Sequence, residues 1–93
     1  MSEKITEKEL FDMADKFISV ANQLVQNNDQ NLPKVGAAFR YAAARFSAHE
    51  ASLSTANLAE ERVNALAWFT EQYNTMLQKN LDQYVALQQK ENK

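Results

Sequence analysis

Three stretches of the chain repeat apolar residues at steps of three and four, the period of a helix that turns about 100° per residue. The middle stretch carries two such stripes. Val35, Phe39, Ala42, Phe46, His49 and Leu53 form one face, and Ala37, Tyr41, Ala44, Ala48 and Ala51 lie on nearly the opposite one. A helix apolar on two sides is sandwiched between neighbours, so the pattern predicts a central helix with the rest of the chain packed around it. In the first stretch, Leu10, Ala14, Phe17, Ala21 and Leu24 are the spine of a broad stripe. Met13 and Val20 widen it on one flank; Phe11, Ile18 and Val25 widen it on the other. One partner helix does not cover so wide an arc, which predicts two neighbours, or one neighbour and a second subunit. In the third stretch Leu58, Ala59, Leu66, Phe69, Tyr73, Met76, Leu77, Tyr84 and Leu87 fall near one face.

Local signals place the ends. Thr6, with Glu9 three residues on, fits a capping box, and Asn57 with Glu60 fits a variant of it. The polar run Gln26-Asn27-Asn28-Asp29-Gln30-Asn31 is a loop in which Asn27 or Asn28 suits the left-handed conformation that ends a helix. Pro33 sits where a helix has no use for its amide. The predicted helices run over about 7–26, 32–53 and 58–89, with loose tails at 1–5 and 90–93. The fold class is all-α, an antiparallel three-helix bundle in one domain. Asn80-Leu81-Asp82-Gln83 leaves two readings open: a bend that caps a separate fourth segment, or a long helix that simply continues. Helices 1 and 3 are expected on the large-residue face of helix 2. Its alanine face then awaits the segment after Asn80 or another subunit.

Composition narrows the functions. With 93 residues the chain makes one domain, and one Gly and one Pro leave little punctuation. No Cys is present, which excludes disulfides, thiolate metal sites and cysteine nucleophiles. The net charge of −2, with both signs interspersed, provides no footprint for nucleic acid. The N-terminal residues lack the pattern of a secretory signal, and no apolar run nears the roughly 20 residues of a membrane span. A cytoplasmic protein with no membrane partner is the expectation.

Candidate chemistry is sparse. His49, the single histidine, has the pKa range of a general base, but on an apolar stripe it reads equally as a partly buried side chain with one hydrogen bond. Arg45 lies at the seam between the stripes of helix 2, near Tyr41 and His49 in projection. It suits an anion clamp, or else a bridge to a carboxylate of helix 1 or 3 with its stem over apolar surface. No paired Glu-x-x-His motif, Gly-rich phosphate loop or nucleophile–base–orienter set can be assembled, so no metal, cofactor or catalytic residue is expected. Trp68 projects away from the stripe of helix 3, and Leu81 and Val85 lie where that helix outruns its neighbours. These three are the expected contact residues, since Trp is enriched at interface hot spots. The favoured expectation is a non-catalytic module that forms a homodimer or higher oligomer, or binds another protein. The alternative is a small anionic ligand between helices, lined by Tyr41, Arg45 and His49.

Tyr41-Ala42-Ala43-Ala44-Arg45-Phe46-Ser47-Ala48, followed by Trp68-Phe69-Thr70-Glu71-Gln72-Tyr73 and Met76-Leu77-Gln78-Lys79-Asn80-Leu81-Asp82-Gln83-Tyr84, resemble a family of small uncharacterised proteobacterial proteins. Phe11-Asp12-Met13-Ala14-Asp15-Lys16-Phe17-Ile18 extends the likeness loosely. The resemblance implies a single-domain bacterial protein and brings no activity, cofactor or catalytic residue.

Overall fold

The computed structural model describes residues 5–91, and its regular structure is entirely α-helical: α1 (Glu7–Asn27), α2 (Leu32–Ser54) and α3 (Leu58–Glu91), with no strand among the described residues. The all-α class read from the sequence is therefore what the chain adopts. Of the expected tails, residues 1–4 and 92–93 lie outside the described residues; Ile5 precedes α1, and Lys90 and Glu91 close α3.

Each helix begins on a side chain that takes up an orphan amide. Thr6 Oγ1 accepts from the Glu9 amide at 3.1 Å while Glu9 Oε1 accepts from the Thr6 amide at 3.0 Å, a complete capping box. Asn31 starts α2 by accepting the Lys34 amide on Oδ1 at 3.1 Å. Asn57 Oδ1 accepts the Glu60 amide at 3.3 Å. The reciprocal half of that box does not form. The Asn57 amide donates instead to Thr55 Oγ1 at 3.1 Å, so Glu60 has no donor to return to.

The end of α1 differs from the sequence expectation in one respect. Asn28 has φ −124°, and the left-handed conformations fall on Asp29 (φ 58°) and Gln30 (φ 62°). The Asn28 side chain is engaged elsewhere, Nδ2 donating to the Leu24 carbonyl at 2.8 Å. The reversal therefore passes to the next two residues, which return the Gln30 amide to the Val25 carbonyl at 2.9 Å. At Asn80 no new segment begins. The side chain donates to the Met76 carbonyl at 2.8 Å rather than accepting an amide as a cap would, and α3 continues through it for 34 residues in all.

The chain divides into two units, Met1–Phe46 and Ser47–Lys93, so that α2 contributes to both. In the first, Val35 is buried, and Ala14, Ala21, Val25, Asn28 and Gly36 are half-buried. Ala14 and Ala21 belong to the spine of the α1 stripe and Val25 to the flank it shares with Phe11 and Ile18. Leu10, Phe17 and Leu24 of the spine stay exposed, as do Phe11, Ile18, Met13 and Val20 on the flanks.

In the second unit Ala51 is buried, with Ser47, Thr55, Ala65 and Phe69 half-buried. The covered stripe of α2 differs along its length: it is the large-residue stripe at Val35 and the alanine stripe at Ala51. Phe46 and Leu53, on the large-residue stripe, are 67% and 75% exposed, whereas Ala51, on the alanine stripe, is 8% exposed. A small side chain is covered by a close backbone approach that a Phe or Leu in the same place would prevent. Among the described residues Val35 and Ala51 are the buried hydrophobic core, and no polar or charged side chain is buried.

Candidate functional site

In the second unit an open depression of about 530 Å³ lies near the end of α2 and the first turns of α3. Its position follows from local chemistry. The Thr55 and Asn57 hydrogen bonds turn the chain sharply after Ser54, so α3 starts beside the residues that close α2. Ala51, Leu58, Ala65 and Phe69 supply apolar lining, and Glu50 and Glu61 supply carboxylates. Trp68 borders it too, its ring meeting that of Phe69 edge to face, centroids 5.0 Å apart at 84°. Phe69 is half-buried, whereas Trp68 remains 56% exposed. Ser54, Thr55 and Asn64 line it as well, so the depression presents mixed apolar and polar surface. No group of three or more His, Asp or Glu side chains stands close enough to hold a metal ion among the described residues.

Tyr41 and Arg45 lie one turn apart in the part of α2 that belongs to the first unit. Both are exposed, and Arg45 makes no ion pair among the described residues. His49 is exposed in the part of α2 that belongs to the second unit, where its carbonyl accepts from Ser52 Oγ at 2.7 Å. None of the three lines the depression. Leu81 and Val85 are exposed on α3, within a run of open large apolar side chains from Val63 to Leu87. The angular position of Trp68 sets it off the stripe of helix 3 in the sequence, and the side chain is 56% exposed. Its shared border with Ala51 was not readable, because periodicity within one helix carries no information about which residue of another helix lies opposite.

The family model described as "Protein of unknown function (DUF3144)" matches residues 10–85. No curated protein and no solved structure matches the chain.

Proposed function

We propose, from the premise that the chain belongs to the DUF3144 family of proteins of unknown function, that it is a non-catalytic helical module whose apolar surface is completed by association. The partner is a second copy, giving a homodimer or higher oligomer of antiparallel helices; a different protein is the lesser form of the same reading. One observation carries it. Large apolar side chains that soluble monomers rarely leave open together are exposed in each unit, Phe17 and Phe46 in the first and Trp68, Leu81 and Val85 in the second.

The test is solution mass by sedimentation equilibrium at micromolar concentration. The expected result is twice the chain mass of 10.6 kDa or more. A monodisperse 10.6 kDa species that is helical and folded overturns the reading.

A proteobacterial, cytoplasmic home belongs to the same proposal. It is supported by the sequence resemblance and by the fact that no helix among the described residues is long and apolar enough to cross a membrane. A second reading, an anionic ligand held by Arg45 with Tyr41, is favoured by the open guanidinium of Arg45. Phosphate titration followed by NMR at the Arg45 side chain checks it, and shifts no larger in wild type than in Arg45→Gln remove it.

A further inference from the structure

Six exposed apolar residues of α3, together with Thr70 and Asn80, alternate steps of three and four for four heptads: Val63, Leu66, Thr70, Tyr73, Leu77, Asn80, Tyr84 and Leu87, with Leu58, Trp68, Met76, Leu81 and Val85 exposed off this line. This is the a/d pattern of a coiled-coil seam, about 36 Å long. All eight positions are open; the six apolar ones range from 40% exposed at Leu77 to 71% at Val63. The half-buried residues of α3, Ala65 and Phe69, lie to one side of the seam, and Trp68 lies on the far side of the helix from it.

The order has a second property. The seam is symmetric about residue 75, so that 63 and 87, 66 and 84, 70 and 80, and 73 and 77 are mirror pairs. Its two polar members, Thr70 and Asn80, form one of those pairs. We infer that α3 docks antiparallel on α3 of a second copy of this chain, in the register that sets Thr70 against Asn80 of the partner subunit. This deepens the self-association reading and rests on it.

Three observations select this occupant and direction. Antiparallel pairing sets each a position opposite a d position, and an isologous contact requires that residue i meet j while j meets i. A seam with mirrored polar and apolar positions satisfies both conditions, and no other segment is needed to complete it. The polar pair has matching chemistry: with Asn80 Nδ2 donated to Met76, Oδ1 is left to accept a threonine hydroxyl. The open surface of the six apolar side chains amounts to roughly 700 Å² per copy, close to the 800 Å² or so that each partner buries in a standard interface. A parallel pair would instead set Thr70 and Asn80 each beside its own copy and align two helix dipoles in the same sense.

Because the chain has no cysteine, introduced thiols report the register cleanly. Thr70→Cys and Asn80→Cys change polar positions only, and circular dichroism confirms that each variant keeps wild-type helicity. The two proteins, carrying different tags, are mixed, exchanged and equilibrated in a glutathione redox buffer. The expected result is a disulfide between the two variants in the mixture and none within either alone. In this register like positions are displaced by about 15 Å along the axis, beyond disulfide reach. Disulfides within each variant alone overturn the direction. A dimeric mass with no disulfide in any sample overturns the α3 seam while leaving self-association standing. A monomeric wild-type mass overturns both.

Discussion

Asn28 and Asn80 make the same hydrogen bond at the same length, Nδ2 to the carbonyl four residues back at 2.8 Å, yet one closes a helix and the other lies inside one. The bond satisfies a carbonyl in either setting and so does not choose between them. The residues next in the chain decide. After Asn28 come two residues at positive φ, then Asn31 as the cap of the next helix and Pro33 within its first turn. After Asn80 come Leu81, Asp82, Gln83 and Tyr84, none of which forbids the helix to continue. An asparagine in an apolar stripe thus marks an end only where its successors leave the helix. Where they do not, it becomes a polar position on a helical surface, with consequences for what docks there.

The largest effect is expected of Asn80→Pro, which forces at Asn80 the ending that α1 has after Asn28. The ring clashes with the Met76 carbonyl, a cost of about 3 kcal/mol or more inside a helix. Far-ultraviolet circular dichroism should lose the signal of the distal turns of α3, and the oligomer should dissociate with them; unchanged helicity and mass would count against the account of both. Asn80→Leu acts in the opposite direction. It replaces the polar seam position with an apolar one and should stabilise the assembly by about 1–2 kcal/mol, while relaxing the register that the Thr70 pairing sets. Thermal melts read the first effect and thiol pairing of neighbouring seam positions reads the second. A lower melting temperature would show that Asn80 is held by something other than an apolar seam.

Gln30→Gly addresses what makes the other end an end. Glycine takes the left-handed conformation without the penalty of about 1 kcal/mol that Gln30 incurs at φ 62°, so stability should rise by somewhat less than that. A decrease in urea midpoint would mean that the Gln30 side chain contributes a contact of its own. The smallest effect comes from a matched pair. Asn28→Ala removes a donor from the Leu24 carbonyl at a helix end and should cost about 0.5–1 kcal/mol. Asn80→Ala removes the same bond within a helix, where alanine propensity compensates by about 0.6 kcal/mol, so its change should be near zero. Equal losses at both sites would show the hydrogen bond, not its setting, to be what matters.

The same distinction separates what the sequence reveals from what it withholds. The three helices are readable because their signals are local: the Thr6–Glu9 box, the Asn57 cap, the spacing of Ala14, Ala21 and Val25. The identity of the covered face is not local. Phe46 shares a stripe with buried Val35 and is itself open, because coverage depends on where a neighbouring helix passes and not on the angle of the residue alone. The candidate site obeys the same rule. Tyr41, Arg45 and His49 are spaced along one helix, but a ligand pocket needs opposing walls that the periodicity of that helix does not describe. Trp68, Leu81 and Val85 are exposed, and whether another copy covers them is again not a property of one helix's periodicity.

Val35 and Ala51 have a further consequence as the buried hydrophobic residues among those described. If most apolar contacts form only between copies, stability becomes a matter of mass action, and the chain has no melting temperature apart from the concentration at which it is measured. Each tenfold dilution then removes about 1.4 kcal/mol per dimer, and the thermal transition should move down by a few degrees with it. Folding and assembly would be one reaction, slower in dilute solution and complete only where copies meet.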